Sequence, residues 1–423
     1  MARRAIREYD AKRLLAKYLP NYLEGFSYPG EVALVTPETN WDALEDENPW
    51  LAEEKLVVKP DELFSKRGKL GLLGLNLSLD EVKAWIDEHM GKDQTIGDLT
   101  DELTHFLVEP YVPHEEEDEM FLALRTEREA DVVYFSLQGG IDIEEQWETV
   151  SQIQVPILSD ISEVDVADAL TDFEGKERVV LLIRALQEFF CDLAFTYLEI
   201  NPFVFVDNQV VPLDFVAKLD DTAAFECGHK WGDIEFPVAF GTHLSAEEEY
   251  IRSLDQKTGA SLKLNVVNPR GRVWTLVAGG GASIVYADTI SDLGFGSEMA
   301  NYGEYSGNPT REETYEYTKT ILDLMTREPD PEGKPKYLLI GGGIANFTNV
   351  AKTFEGIIQA LEEYKEELID NKVRIYVRRG GPHYKEGLQM MRDLGERLGV
   401  PIEVYGPETH MTRIVPMALG GKS

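Results

Sequence analysis

Residues 337–350, YLLIGGGIANFTNV, combine residue types that can bind an anion. Four apolar residues predict a short buried strand, and three glycines then allow a tight turn whose N–H groups stay uncovered. An amphipathic helix is predicted next from the spacing of its apolar residues: Val350, Phe354, Ile357, Ile358 and Leu361. A helix N-terminus favours a negative ligand, and Asn346 and Thr348 add polar side chains there. The alternative is a tight turn that binds nothing.

Two similar turns also follow apolar stretches of the same half of the chain. Residues 273–277 run into AGGGAS at 278–283, and residues 372–377 run into RRGGP at 378–382. In a parallel, doubly wound sheet, ligands bind beyond the carboxyl ends of the strands. Because the three turns would meet at that edge, they favour a binding site over three unrelated turns.

A second group of polar residues interrupts two apolar strands. Residues 197–206 and 209–218 predict a hairpin that carries Glu199, Asn201 and Asp214 among apolar neighbours. A carboxylate is costly to bury unless it is paired or bound to a metal, and Mg²⁺ prefers oxygen ligands. The pattern indicates a metal site, with satisfied turn residues as the alternative.

The third candidate is the glycine-rich basic segment 65–76, SKRGKLGLLGLN. Glycines allow close backbone approach, and the three cations suit a polyphosphate. The GxxxxGK[ST] order of a Walker A loop is missing. A β-hairpin with a basic tip is the alternative.

Composition limits the classes of function. The 423 residues suffice for two or three domains, and the net charge of −36 argues against nucleic-acid binding. An anionic ligand would therefore need locally concentrated N–H groups and arginines. Two cysteines indicate no disulfide framework, and no secretory signal or membrane-spanning run occurs. We expect a soluble, cytoplasmic protein.

The elements that position these residues can be predicted from periodicity. For the first half, the pattern predicts helices over residues 6–19, 79–90 and 179–193 and strands over 31–36, 55–60, 107–113, 120–124 and 130–137. Ser78 and Glu81 are spaced as a capping box. The pattern weakens between about residues 220 and 245, where 231–237 (WGDIEFP) read as a linker, and Ser245 and Glu248 then form another capping box.

The second half alternates strand and helix, which predicts an α/β fold with a doubly wound parallel sheet. Its predicted strands are 273–277, 337–340, 372–377 and 402–405, and its predicted helices include 314–326 and 384–398. We therefore expect one domain over residues 1–243, with subdomains of about 1–110 and 111–243, and a second domain over 244–423.

Several motifs carry a family resemblance over essentially the whole chain. The first half resembles the ATP-grasp half of the β subunit of succinyl-CoA synthetase in REYDAK (7–12), VVKP (57–60), KRGK (66–69), GGID (139–142), LEINP (198–202) and LDFVAK (213–218). The second half resembles the ATP-citrate lyase family in AGGGAS (278–283), NYGEYSG (301–307), GGGIANFTNV (341–350), VRRGGP (377–382) and ETHMT (408–412). The resemblance implies an ATP-grasp domain followed by a flavodoxin-like, parallel-sheet citrate-binding domain.

The similarity reaches only the N-terminal part of the single-chain lyase, which implies the smaller, ATP- and citrate-binding subunit of a split enzyme. In this family ATP phosphorylates a histidine, citrate takes the phosphoryl group, and CoA displaces it to give citryl-CoA. Cleavage then yields acetyl-CoA and oxaloacetate. The resemblance implies a larger partner subunit that carries the phosphohistidine, CoA and lyase regions, and hence a hetero-oligomer. His383 is interpreted as a surface residue or one beside the citrate site.

The family's site residues can be carried over position by position. The resemblance implies that ATP is bound at its phosphates by Lys59, Arg67 and Gly68, and also by Asp214. Pro110 and Val112, in a hinge after the strand, would offer backbone groups to adenine, and Glu119 would reach the ribose. Asn201 and Asp214 would bind Mg²⁺, and Glu199 would orient the partner's phosphohistidine. A second cation site is implied at Asp255, Thr258 and Ala260. Citrate would be bound by Ser306, Gly307, Asn346, Phe347, Thr348 and Arg379, whereas Tyr364 is expected to pack in the core.

Three other functions remain open at this stage. A citryl-CoA synthetase subunit differs only in its partner, which leaves cleavage to a separate lyase. A succinyl-CoA synthetase β subunit would prefer a smaller dicarboxylate. A non-catalytic citrate or nucleotide sensor would not need Lys59, Asn201 and Asp214 together.

Overall fold

A computed structural model describes residues 3–140 and 147–420. The contacts divide the chain into two compact units, Met1–His243 and Leu244–Ser423. Part of the GGID motif, residues 141 and 142, lies outside the described residues. Within the described ranges, no helix is both long and apolar enough to cross a membrane.

The first unit is a mixed α/β structure. Its strands are β1 (Arg3–Ile6), β2 (Ala33–Val35), β3 (Leu56–Pro60), β4 (Gly74–Leu77), β5 (Asp93–Ile96), β6 (Leu99–Glu102), β7 (Phe106–Pro110), β8 (Met120–Thr126), β9 (Ala130–Ser136), β10 (Ser151–Pro156), β11 (Phe195–Val206), β12 (Gln209–Pro212) and β13 (Phe215–Asp220). Its helices are α1 (Glu8–Tyr18), α2 (Trp41–Glu47), α3 (Trp50–Glu53), α4 (Leu79–His89), α5 (Lys176–Asp192) and α6 (Ala224–Trp231).

Two main sheets organise this unit. The smaller has the order β2-β7-β3-β4, and the larger has the order β1-β13-β11-β8-β9-β10, with β12 beside β11. Each sheet covers its own apolar core, the smaller with α4 and the larger with α1 and α5. Strand β11 pairs first with β13 and then with β12, so the turn between those two strands lies beside Asn201.

Most strong patterns of the first half form the predicted elements. The Ser78–Glu81 capping box starts α4, and β8 and β9 form the predicted hairpin, in which Leu122 faces Phe135. Residues 209–218, predicted as one strand, divide into β12 and β13. The helix predicted from residue 6 begins at Glu8, because residues 3–6 pair with β13 as an edge strand.

The predicted linker 231–237 lies outside helices and strands after its first residue, whereas the surrounding region of weak pattern, residues 220–245, includes a helix that was not predicted. This helix is α6, whose apolar face buries Cys227 and Trp231 against the core of the larger sheet. A helix of eight residues gives only two turns of periodicity, too little to predict from the sequence.

The second unit alternates strand and helix as predicted. Its strands are β14 (Ser261–Val266), β15 (Val273–Ala278), β16 (Asn301–Ser306), β17 (Tyr337–Gly342), β18 (Arg374–Arg378) and β19 (Ile402–Tyr405). Its helices are α7 (Ala246–Lys257), α8 (Gly280–Asp292), α9 (Arg311–Thr326), α10 (Val350–Glu363), α11 (Lys365–Asp370), α12 (Tyr384–Leu398) and α13 (Ile414–Leu419). The predicted Ser245–Glu248 capping box starts α7.

The sheet of this unit has the order β14-β16-β15-β17-β18-β19. All its neighbours are parallel except β14, an antiparallel edge strand that periodicity did not reveal. Successive residues of β17 enter opposite cores: Leu338 packs with α9, α10 and α12, whereas Leu339 packs with α8 and α13. The doubly wound fold is therefore confirmed, and the glycine turns follow the carboxyl ends of its strands.

Candidate functional site

Lys59 lies at the centre of a buried group of charges in the first unit. Its side chain is 3% exposed, and its ammonium lies 2.8 Å from Glu8 Oε1 and 2.9 Å from Glu109 Oε1. It also donates to the carbonyl oxygen of Leu213 over 2.5 Å. An ammonium group has three donors, so a phosphate oxygen must replace one of these acceptors in order to bind Lys59.

Arg67 joins the same group from the loop after β3. Its Nη1 donates to Glu8 Oε2 over 2.8 Å and to the carbonyl of Pro60 over 2.9 Å, and its Nη2 donates to Asp214 Oδ1 over 3.1 Å. Its Nε is buried without a partner, and Gly68 beside it is exposed. The loop connects β3 and β4, which form an antiparallel hairpin. A loop in this position can bind phosphates.

The sequence prediction missed Glu8, Lys12 and Glu109. Lys12 Nζ lies 2.9 Å from Glu8 Oε1 and 2.5 Å from Glu109 Oε2, and all three side chains are buried. The sequence signal that was missed is the spacing of Glu8 and Lys12, an acid and a lysine four residues apart in one predicted helix. We call Glu8, Lys12, Lys59, Arg67, Glu109 and Asp214 the buried ionic cluster.

The cations of this cluster favour the charged form of Glu8. Burial alone would raise the pKa of Glu8, but Lys12, Lys59 and Arg67 together hold it well below its usual range. The neighbouring carboxyl of Asp61 behaves in the opposite way. Burial, and then the negative charge of Glu8, raise the pKa of Asp61 to about 7. Its oxygens accept the first N–H groups of α1.

The structure places the backbones of the two predicted metal ligands side by side. The backbone N–H of Asn201 donates to the carbonyl of Asp214 over 3.1 Å, and the side chain of Asn201 exchanges two hydrogen bonds with the backbone of Gly140. Burial raises the pKa of Asp214, which Arg67 opposes. Within residues 3–140 and 147–420, no three His, Cys, Asp or Glu side chains form a metal cluster. The pair supplies oxygen donors that fit Mg²⁺ if phosphate oxygens and water complete the shell.

Glu199 lies on the same face of β11 as Asn201, because alternate residues of a strand share a face. It accepts a hydrogen bond from the hydroxyl of Tyr197. Burial, and then the charge of Glu199, raise the pKa of that hydroxyl. Glu199 is half-buried, whereas the neighbours Leu198 and Ile200 point into the core.

The hinge after β7 contains a further contact that the sequence prediction missed. Pro110 ends β7. The ring of His114 lies between Val112 and Glu119, the other two residues predicted to bind ATP in this region. His114 Nδ1 is 2.7 Å from the carbonyl oxygen of Val112, and Nε2 is 3.2 Å from Glu119 Oε1. His114 thus connects the segment predicted for adenine with the carboxylate predicted for the ribose.

In the second unit, Arg378, the last residue of β18, fixes the glycine turn 341–348 by a hydrogen bond. The guanidinium of Arg378 donates to the carbonyls of Gly342 and Thr409, each over 2.9 Å, and to that of Pro407 over 3.3 Å. Gly342 has a φ of 150°, and a Cβ there would lie 2.8 Å from Arg379 Nη1. The turn therefore requires glycine at this position.

Arg379 is a buried cation beside this turn. It is 5% exposed, its Nη1 donates to the carbonyl of Gly343 over 2.8 Å, and its Nε has no partner. Burial lowers the pKa of Arg379, although Tyr305 opposes this effect. No carboxylate of the described residues forms an ion pair with it. An unpaired buried guanidinium next to a glycine turn indicates an anion site.

Other predicted citrate residues lie on segments that the structure brings together. Ser306 ends β16, and Gly307 follows it with a φ of 75°. The turn 341–348 contacts the segment 378–382, because Ala345 N–H donates to the Gly380 carbonyl over 2.8 Å. The following Asn349 N–H lies 3.4 Å from Asn308 Oδ1, which joins the segment after Ser306.

The mouth of this turn is open. Asn346 is exposed, Phe347 is 69% exposed, and Thr348 is half-buried. Helix α10 begins at Val350, the first of the apolar residues that predicted it, because the side chain of Asn349 caps it by accepting from Lys352 N–H.

Three candidates remain: Tyr364, His383 and the second cation site. Tyr364 is at the far end of α10 and packs against the core, and the side chain of His383 is 60% exposed, near Glu386. Asp255 accepts the N–H of Leu262 over 2.8 Å and contacts the ammonium of Lys263, while Thr258 Oγ1 is 3.4 Å from the Ala260 carbonyl. The second cation site stays a prediction.

The fold and the arrangement of its charges define a protein of the ATP-grasp class with a second, doubly wound domain. Family models agree: the ATP-grasp domain of ATP-citrate synthase matches residues 2–231, and the citrate-binding domain of ATP citrate lyase matches residues 242–421. The chain belongs to the ATP-citrate synthase family, a family of enzymes.

Named relatives are similar over nearly the whole chain. ATP-citrate synthase of Bos taurus is 49% identical over 99% of this chain, which spans 38% of that protein. ATP-citrate synthase alpha chain protein 2 of Arabidopsis thaliana is 48% identical, with 99% of this chain and 98% of the relative covered. The structure of ATP citrate lyase from Methanothrix soehngenii in complex with citrate and coenzyme A is 55% identical, with a TM-score of 0.91 over 99% of this chain and 100% of that one.

Proposed function

We propose that this chain is the ATP- and citrate-binding subunit of an ATP-citrate lyase. ATP, with Mg²⁺, would phosphorylate a histidine of a larger partner subunit, and citrate bound here would take that phosphoryl group to become citryl phosphate. The thiol of CoA, bound mainly by the partner, would then displace inorganic phosphate from citryl phosphate to give citryl-CoA, which is cleaved to acetyl-CoA and oxaloacetate. The observation that carries this proposal is the unpaired, buried Arg379 at a glycine turn in a chain that also holds an ATP-grasp unit.

The nucleotide side of the proposal rests on the first unit. Lys59, Arg67 and the backbone at Gly68 would bind the phosphates, Pro110 and Val112 would meet adenine, and Glu119 would meet the ribose. Asn201 and Asp214 would hold Mg²⁺, which neutralises phosphate charge and keeps the transferred group in line. Glu199 would orient the partner's phosphohistidine. Transfer would thus depend on position and charge neutralisation.

The citrate side rests on the second unit. Citrate is a trianion, and the planar guanidinium of Arg379 can bind one carboxylate with two hydrogen bonds. Ser306, Gly307, Asn346, Phe347 and Thr348 would surround the remaining groups. The N-terminus of α10 would stabilise the phosphate that arrives from the partner, because the helix dipole favours negative charge there.

The partner is part of the proposal. The Arabidopsis thaliana relative, 98% of which this chain covers, is named an alpha chain, and that name supports a hetero-oligomer with a second kind of subunit. A partner with a citrate-synthase-like region would support a lyase. A partner without that region would support a citryl-CoA synthetase instead.

The test separates binding from turnover. Isothermal titration of the full chain should detect both ATP with Mg²⁺ and citrate, and succinate should bind far more weakly. With partner and CoA, citrate should drive ADP formation, which Asp214→Ala should abolish while citrate binding is kept. Tight succinate binding without citrate binding, or citrate-dependent ATP hydrolysis by the isolated chain, would contradict the proposal.

A further inference from the structure

We propose that Glu8 is a positioning residue of the nucleotide site, which fixes Lys59 and Arg67 where they can meet the phosphates. The role assigned to Glu8 rests on the proposed function. Glu8 itself is buried beneath these cations and would act through them rather than touch ATP.

The two oxygens of Glu8 have separate tasks. Oε1 lies 2.9 Å from Lys12 Nζ and 2.8 Å from Lys59 Nζ, whereas Oε2 accepts from Arg67 Nη1 over 2.8 Å. The carboxylate therefore holds a lysine of β3 and an arginine of the next loop in one geometry. Its own place is fixed, because the N–H of Glu8 donates to Asp61 Oδ1 over 2.9 Å.

No other carboxylate of the described residues connects these two cations. Glu109 pairs with Lys12 and Lys59, and Asp214 pairs with Arg67. Glu8 alone among them contacts both Lys59 and Arg67. Without Glu8, Lys59 would keep Glu109 and Arg67 would keep Asp214, so no single carboxylate would fix the positions of both cations.

A glutamine has the shape of Glu8 but cannot replace it. Its amide has one acceptor oxygen and one NH₂ donor. If the oxygen faces the lysines, the NH₂ group faces Arg67, and the reverse orientation places the NH₂ group against Lys12 and Lys59. Either orientation sets a donor against a buried cation, so at least one phosphate-binding side chain must move.

The test uses the full chain and measures ATP and citrate binding by isothermal titration with Mg²⁺ present. Glu8→Gln should raise the Kd for ATP about tenfold or more, which is the value of one charge-assisted hydrogen bond. Its Kd for citrate should stay that of the wild type. Glu8→Asp keeps the charge on a shorter side chain and should recover part of the ATP affinity.

The matched control is Asp10→Asn on the same helix. Asp10 is also a buried carboxylate, but it pairs with Arg13 rather than with the cluster. This variant should leave the Kd for ATP within about twofold of the wild type. A general effect of disturbing α1 would instead weaken ATP binding in both variants.

Several results would overturn the role of Glu8. Unchanged ATP affinity in Glu8→Gln would do so. Tighter ATP binding would also do so, because it would mean that Glu8 only neutralises the charges of Lys59 and Arg67. If Glu8→Gln does not fold, Glu8→Asp decides, and wild-type ATP affinity or an equal loss of ATP and citrate binding there counts against positioning. Absence of ATP binding by the wild-type chain would overturn the proposed function first.

Discussion

Arg67 and Asp214 are 147 residues apart in the chain, yet Arg67 Nη2 donates to Asp214 Oδ1 over 3.1 Å. The carboxylate proposed to bind metal is thus also the counter-charge of an arginine proposed to bind phosphate. The two roles are electrostatically linked, since a change in either side chain alters the charge that the other experiences. Removing one partner of such a partly desolvated pair costs more than removing one at the surface, because it leaves the other charge without compensation.

Lys12 should be important for stability although no role at ATP is proposed for it. Lys12→Met would leave Glu8 and Glu109 buried with one cation fewer, so we expect a loss of about 3–5 kcal/mol in the free energy of unfolding. Denaturant titration measures this loss. Lys17→Met, at an exposed position of the same helix, should change stability by less than about 0.5 kcal/mol. Equal stabilities of the two variants would contradict the prediction.

The elements that could be predicted are those whose signal is local. The Ser78–Glu81 capping box and the β8–β9 hairpin depend on neighbouring residues and formed as expected. Strand β1 and the edge strand β14 could not be predicted in this way, because each exists through pairing with a distant strand. Helix α6 was missed because two turns give too little periodicity.

The same distinction applies to the candidate sites. The turns 278–283, 341–348 and 378–382 were recognisable because their glycines and polar residues are contiguous, and strand order brings them to one edge. The side chains that fix these sites through hydrogen bonds and ion pairs could not be identified from the sequence. Arg378 reaches three distant carbonyls, and Glu8 meets Lys59 across 51 residues of sequence. Such contacts are created by the fold, so residue type alone does not reveal them.

Arg378 should support the glycine turn structurally. Arg378→Ala would leave the carbonyls of Gly342, Pro407 and Thr409 without their common donor, and we expect a loss of about 3–5 kcal/mol in stability. Arg378→Lys, with a single ammonium, should lose less. Hydrogen exchange should rise first near residues 341–345 and 406–412. A uniform rise across both units would argue against this local role, and Arg374→Ala at the exposed start of β18 is the control.

Asp10 predicts a defined pH dependence. Burial raises the pKa of its carboxyl to about 6, from 3.8, against the effects of Arg13 and Arg7. The folded chain then holds a proton that the unfolded chain releases, so this contribution to stability is complete below pH 3.8 and is lost as the pH rises through about 6.

Asp10→Asn removes this titration. Its unfolding free energy relative to the wild type should therefore increase between about pH 4 and pH 6 and stay constant above that, by about 1–3 kcal/mol. Denaturant titrations at several pH values measure the difference. A difference that is flat with pH, or that falls, would show that Asp10 is charged throughout in the folded chain.

Replacing Arg379 should weaken citrate binding without lowering the free energy of unfolding. Its guanidinium is buried, its Nε has no partner, and no carboxylate of the described residues neutralises it, so its burial costs free energy in the unliganded chain. Arg379→Met should therefore keep or increase the free energy of unfolding, while it weakens citrate binding by about 100-fold or more. Thermal melting with and without citrate measures both effects, because the wild type should melt higher with citrate and the variant should not. Arg374→Met, which removes an exposed arginine from β18, the strand that precedes Arg379, should leave both melting curves unchanged. A variant that loses stability but still binds citrate would show that Arg379 serves the fold rather than the ligand.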